Sequence, residues 1–274
     1  MAVHAHPDDE AIGTGGILAK YAAEGIRTVL VTCTNGELGD SPEGVKPDMD
    51  EHEAAAVAVH RLEELRAACA ELGVAHLELL GYHDSGMMGW PQNDMPGSFW
   101  QTPLDEGVDR IAALMEKYRP QVVVTYDENG FYGHPDHIQA NRVTLGAAER
   151  TGIPAKIYYN AVPRSAIDGF RERLEALGVE APVLEEAAAD LAEEEGDPPF
   201  GTPDELITTV VDVSGFIGPK RRAMFAHASQ MQSTFFVKIP EPVFDMMFAT
   251  EAFVRHQDTT GAPVPEDDLF AGLR

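Results

Sequence analysis

Gln121-Val122-Val123-Val124-Thr125-Tyr126 is a near-continuous apolar run, rich in β-branched residues and lacking the alternation that would give it a solvated face. Such a run fits a strand buried on both sides, the situation in a parallel sheet covered by helices. The segment from Ile26 to Thr34 reads the same way. Between these runs helical spacing recurs: Ile17, Leu18 and Tyr21 before Gly25, Leu62, Leu65, Cys69 and Leu72 before Gly73, then Ile111, Leu114, Met115 and Tyr118. A glycine just past a periodic stretch commonly ends a helix. Further strands are expected at Met1 to His4, His76 to Leu80, Lys156 to Val162 and Thr208 to Val213, and further helices at Ile138 to Arg150 and Lys220 to Gln230. The alternation predicts an α/β fold, a Rossmann-like mostly parallel sheet with flanking helices.

A chain of 274 residues is long for one domain but not clearly enough for two, so one domain over 1–274 is expected. From about 164 to 205 Ala, Glu, Gly and Pro dominate, which reads as an inserted acidic helical cap; the Pro- and acid-rich tail from Thr259 reads as loosely structured. The net charge of −26 repels phosphate backbones and anionic surfaces, so no nucleic-acid partner is expected. No apolar run approaches a membrane span and no signal peptide is apparent. Cys33 and Cys69 sit in apolar patterns that suit buried thiols. A soluble, cytoplasmic protein is the expectation, with a homo-oligomer allowed.

Two clusters carry chemistry, His6-Pro7-Asp8-Asp9-Glu10 after the first expected strand and Gly133-His134-Pro135-Asp136-His137 after the strand that ends at Tyr126. Ligands in such sheets bind beyond the carboxyl ends of the strands, where both clusters would stand. A catalytic zinc takes three nitrogen or oxygen ligands and keeps one position open for water. Two histidines and an aspartate would fill that order, and a further carboxylate would take a proton from the water. His134 and His137 share a helix face if Pro135 opens a helix, although spacing does not say whether both bind. As single clusters, Asp caps and a first-turn Pro would explain either one; two at strand ends argue for a site. Gly13-Thr14-Gly15-Gly16 hints at a dinucleotide site, but Asp8, Asp9 and Glu10 would repel a pyrophosphate there. A metal-binding interaction module without catalysis is the remaining alternative.

The motifs resemble those of the LmbE and PIG-L superfamily of metal-dependent N-deacetylases, in Ala5 to Glu10 and Tyr132 to His137, with further likeness at Thr32 to Glu37, Asp84 to Met87, Thr125 to Gly130 and His227-Ala228-Ser229-Gln230. The resemblance implies His6, Asp9 and His137 as ligands of Zn2+, with Fe2+ accepted by the same set. It implies Asp8 as general base. His134 would assist the tetrahedral intermediate or protonate the leaving amine, and Tyr132 would polarise the carbonyl. Within the superfamily the chain resembles the mycothiol-pathway enzymes, whose substrate is a small N-acetylated sugar. By that likeness Arg61 and Asp84 would touch sugar and inositol hydroxyls. Gly13 stands where the conjugate-amidase branch carries lysine, a departure that weakens the amidase alternative; antibiotic-sugar deacetylation stays open.

Overall fold

The computed structural model describes residues 1–168, 174, 176 and 201–274. In chain order the main elements are β1 (Ala2–His4), α1 (Asp9–Ala23), β2 (Val29–Thr34), α2 (Ala54–Leu72), β3 (His76–Tyr82), α3 (Leu104–Tyr118), β4 (Val122–Thr125), the single turn α4 (Gly130–Gly133), α5 (Pro135–Thr151), β5 (Lys156–Ala161), α6 (Arg164–Asp168), β6 (Thr209–Asp212), α7 (Ile217–Ala226) and β7 (Thr250–Asp258). The strands form one sheet in the order β3-β2-β1-β4-β5-β7-β6. β3, β2, β1, β4 and β5 run parallel, and β7 is antiparallel to both of its neighbours. The expected mostly parallel α/β architecture is present.

Adjacent residues of one strand enter different cores, which explains the unbroken apolar runs. Leu30 packs with Leu18, Leu65, Leu72 and Met224 beneath α1, α2 and α7. Its neighbour Val31 packs with Val123, Ile111, Met115 and Val143 beneath α3 and α5. Burying a Val or Leu side chain contributes roughly 1.5–3 kcal/mol, and every residue of β2 and β4 is buried. Gly73 closes α2 in the left-handed conformation (φ +66°), as its place in the pattern suggests. Both cysteines are buried and free.

The chain grows from β1 through β2 to β3 and then returns to place β4 on the other side of β1. That reversal opens a crevice at the carboxyl ends of β1 and β4. Most of the expected acidic cap lies outside the described residues. Its two ends meet, however: the Thr202 amide donates to the Val162 carbonyl (2.8 Å) and the Arg164 amide to the Thr202 carbonyl (2.8 Å). Among the described residues no helix is long and apolar enough to cross a membrane.

Three expectations need correction. β7, which lies between β5 and β6, falls in a stretch where the sequence pattern predicts no element. The helix expected at Lys220 to Gln230 breaks at His227, whose backbone (φ −82°, ψ 53°) is not helical. The tail is anchored through Glu266, whose side chain is 1 % exposed. Glu266 accepts from Lys156 Nζ, Tyr158 Oη (2.8 Å), Thr209 Oγ1 (3.0 Å) and Arg255 (3.0 Å). The Lys156 ammonium is fully buried in β5, and a buried cation needs a carboxylate partner.

Burial alone would raise the Glu266 pKa, but the hydrogen bonds from Lys156, Tyr158 and Thr209 outweigh it and hold the carboxyl below the ordinary glutamate value. Its contribution is therefore complete above that value and lost as pH falls through the depressed one. Glu266→Gln is expected to destabilise the fold by about 3 kcal/mol at neutral pH, with the gap to wild type narrowing in acid. Urea unfolding at two pH values checks both the size and the sign.

Candidate metal centre and active site

Each half of the site hangs from the end of a central strand. β1 ends at His4, the chain turns through Ala5 to Asp8, and α1 starts at Asp9. On the other side β4 leads through Tyr126 to α5, whose first residue is Pro135 and whose cap is His134, with its Nδ1 accepting from the Asp136 amide (3.1 Å). The proline start puts His134 and His137 beside each other, ring centroids 5.0 Å apart.

His6, Asp9 and His137 form a triangle of donor groups. His6 Nδ1 lies 3.2 Å from His137 Nε2 and 3.4 Å from Asp9 Oδ2, and Asp9 Oδ1 lies 3.5 Å from His137 Nε2. For bonds of roughly 2.0–2.1 Å at a tetrahedral angle, neighbouring ligand atoms stand about 3.3 Å apart. The separations are close to that spacing, with Asp9 meeting His6 through one carboxylate oxygen and His137 through the other, so the three groups are candidates to hold a divalent metal. His134 joins the same cluster, since one nitrogen from each of His6, His134 and His137 lies within 4.8 Å of the others.

The surroundings also suit a metal. The second nitrogen of His6, Nε2, lies 3.2 Å from Asp136 Oδ2 and 3.6 Å from Asp84 Oδ1. A histidine held on a carboxylate presents its opposite nitrogen as a fixed, more basic ligand. Asp136 is in turn gripped by the Ser85 amide (2.9 Å) and the Ser85 hydroxyl. Asn93 donates to the Ser85 carbonyl (2.7 Å). The long loop between Gly81 and Pro103 supports Asp136. Asp9 is aimed by two donors on Oδ2, the His6 amide (2.7 Å) and Tyr126 Oη (2.7 Å), while the Tyr126 ring stacks on His137 at 4.1 Å.

Asp8 stands beside the triangle in a rare backbone conformation, φ +120° and ψ −32°, which costs a non-glycine residue about 1–3 kcal/mol. Burial raises its carboxyl to about 6, while the nearby Arg61 guanidinium pulls the other way. Arg61 is 4 % exposed and its amino groups are engaged within the protein. They donate to the carbonyls of Gly36 (2.6 Å) and Pro7 (2.6 Å) and to Asp8 Oδ2 (3.1 Å). A side chain on Gly36 would stand 2.5 Å from that guanidinium, so the loop must be glycine there. Asp84 accepts from the Gly86 amide (2.8 Å) and is buried next to His6. Tyr132 lies in the irregular turn α4, its ring 5.0 Å from that of His137 and 6.0 Å from that of His134. A side chain at Gly13 would meet the Asn160 carboxamide at 3.0 Å, so a lysine there would displace it.

All eight residues singled out in the sequence gather at this crevice, but Arg61 reaches it through Asp8 and two backbone carbonyls. Tyr126, Asp136, Ser85, Glu10 and His227 were not assigned roles. Asp136 could have been flagged from its place between two histidines; Ser85 and His227 come from distant segments.

Residues 1–148 match the model of the PIG-L family, described as GlcNAc-PI de-N-acetylase. The chain belongs to the PIG-L family. Over its whole length it is 44% identical to the 1D-myo-inositol 2-acetamido-2-deoxy-alpha-D-glucopyranoside deacetylase of Acidothermus cellulolyticus, covering 94% of that protein, and 43% identical to the enzyme of the same name from Geodermatophilus obscurus, covering 97%. Among solved structures, the N,N'-diacetylchitobiose deacetylase of Pyrococcus horikoshii has a TM-score of 0.57 at 16% identity, over 93% of this chain and 82% of that one. GalB, a 4-carboxy-2-hydroxymuconate hydratase from Pseudomonas putida, gives 0.58 at 18%, over 93% and 96%. These distant structures share the fold. Family membership makes this PIG-L chain an enzyme of the deacetylase, hydrolytic class.

Removing only the Tyr126 hydroxyl should loosen Asp9 and leave the fold. Tyr126→Phe is expected to weaken metal binding about 10- to 100-fold, measured by competition with a chromogenic chelator.

Proposed function

We propose that this PIG-L enzyme is a zinc-dependent N-deacetylase that removes the acetyl group from N-acetylglucosaminyl-inositol, with His6, Asp9 and His137 holding the metal. The observation that carries the chemistry is the triangle of two imidazole nitrogens and a carboxylate, with edges of 3.2–3.5 Å and a second carboxylate, Asp8, alongside. Relatives at 41–44% identity that bear the name of that deacetylase support the substrate. Ferrous iron suits the same donors, and the metal content of purified protein distinguishes the two.

The metal, when bound, supplies Lewis acidity toward the acyl carbonyl and toward water. Asp8 takes the proton of the attacking water; a desolvated carboxyl near pKa 6 is matched to that task at neutral pH. Arg61 fixes the Asp8 carboxylate and the turn that carries it. Because His134 Nδ1 accepts from the Asp136 amide, its neutral ring carries the proton on Nε2. Burial, together with His6 and His137, lowers its pKa to about 3, which keeps the ring neutral. His134 is thereby suited to donate to the developing oxyanion, and the proton that Asp8 takes from the water is passed to the leaving amine nitrogen as the C–N bond breaks. Tyr132 contributes its hydroxyl as a second donor at the same oxygen, and losing one such donor typically costs roughly 3–4 kcal/mol. Asp84, beside His6, is the acceptor for a sugar hydroxyl.

The test is release of free amine from N-acetylglucosaminyl-inositol by zinc-loaded protein, with a chelated sample as control. Asp8→Ala is expected to keep its metal and lose about 10²- to 10⁴-fold in kcat, whereas His137→Ala loses metal and activity together. Normal metal content in His137→Ala would overturn the ligand assignment. Absence of amine release by metal-replete wild type would overturn the substrate.

A further inference from the structure

The segment His227-Ala228-Ser229-Gln230 lies beyond the part of the chain that matches the family model, yet it is tied to the first motif by buried contacts. His227 and Glu10 are both fully buried, with His227 Nε2 at 2.7 Å from Glu10 Oε1. The other oxygen of Glu10 accepts the backbone N–H of Asp8 at 3.0 Å. One carboxylate therefore connects a side chain from the end of α7 with the backbone of the residue proposed as base.

Asp8 needs such a restraint. Among the described non-glycine residues only Asp8, Arg119 and Phe131 have positive φ, and Asp8, at +120°, lies outside the usual left-handed region. Arg61 holds the Pro7 carbonyl and the Asp8 carboxylate from one side. Glu10 holds the amide from the other. A glutamate so fully buried keeps its orientation only while both oxygens are satisfied. His227 is itself fixed by its neighbours in the chain. The Ser229 amide and hydroxyl donate to the Glu64 carboxylate of α2 (2.8 and 2.7 Å), and Gln230 exchanges hydrogen bonds with the backbone of Asp40 (2.9 and 3.2 Å). The break of the helix at His227 lets the imidazole turn toward Glu10 while Ser229 and Gln230 stay on α2 and the 35–47 loop.

We propose that His227, acting through Glu10, is a positioning residue that holds the Asp8 turn in its strained, reactive conformation. The proposal rests on the assignment of Asp8 as base. His227 is fully buried, and its ring pairs with Glu10 rather than with the donor triangle. Its loss is felt in the rate step that Asp8 serves, because small displacements of a reacting group lower rates steeply.

Metal-replete His227→Ala and His227→Gln proteins are compared with wild type for kcat, KM, metal content and the crystallographic conformation of Asp8. In His227→Ala, kcat should fall about 10- to 100-fold, with KM changed by less than about threefold, metal content unchanged and Asp8 moved out of its positive-φ conformation. His227→Gln, whose carboxamide still donates to Glu10, should recover most of the loss. If His227→Ala does not fold, His227→Phe keeps a ring in the space without the donor and carries the same expectation. Wild-type kcat in a folded variant without the donor, an Asp8 turn that stays in place, or no recovery in His227→Gln overturns the proposal. Failure of wild type to release amine would sink the deacetylase reading instead, and the Asp8 conformation in the variant crystals would then decide the role of His227 by itself.

Discussion

A carboxylate taken out of water must find donors, and this protein has many more carboxylates than cations, 46 acidic side chains against 20 Lys and Arg. Most can stay in solvent. Those that enter the interior connect segments far apart in the chain. Glu266 of the tail meets Lys156 of β5. Glu251 of β7 accepts the amides of Gly16 and Ile17 (2.7 and 2.8 Å) and the Lys220 ammonium (2.6 Å). Glu64 is held by Ser229, Asp136 by Ser85 and His6, and Glu10 by His227. Apolar burial places the layers, while these pairs fix which loop lies against which helix. Removing one partner of such a pair leaves the other stranded, which is why they determine the arrangement even where their net contribution to stability is small.

The donor triangle is the exception. His6, Asp9 and His137 converge with 3.2 Å between two imidazole nitrogens. Their outer atoms are meanwhile well held, His6 on Asp136 and Asp9 on Tyr126 and the His6 amide. Groups restrained from outside and facing inward are preorganised for a cation, so little conformational freedom remains to be lost on binding.

Much of this was legible because it depends on local pattern. β2 and β4 are buried on both faces, so their apolar runs are unbroken, and the histidine clusters come directly after strand ends. What escaped depends on tertiary pairing. β7 contains Glu251, Arg255 and Asp258, which argue against a buried strand until Lys220 and Glu266 are seen beside the first two. The tail looked loose because Glu266 in isolation is a surface residue. The helix expected through Gln230 breaks at His227, whose fully buried side chain pairs with Glu10. Arg61, a candidate for substrate contact by resemblance, also donates to the carbonyls of Pro7 and Gly36 and to Asp8, a use of arginine that side-chain patterns cannot reveal.

On the proposed assignments, metal holding and base positioning have different structural origins. The spacing of the triangle depends on β1 lying next to β4, because its members sit in or just beyond the turns leaving those two strands, and strand pairing is tolerant of what happens elsewhere. The Asp8 turn is strained and has no such guarantee. Its conformation depends on Arg61 from α2 and on Glu10, and the partner of Glu10 comes from a segment more than two hundred residues away. The matched family region supplies both clusters, while the hydrogen-bond partner of Glu10 lies in the part of the chain beyond it. A fold of this kind can keep its metal site while varying the loops and helices that aim the reacting carboxylate, which is a physical route by which one donor set serves different substrates.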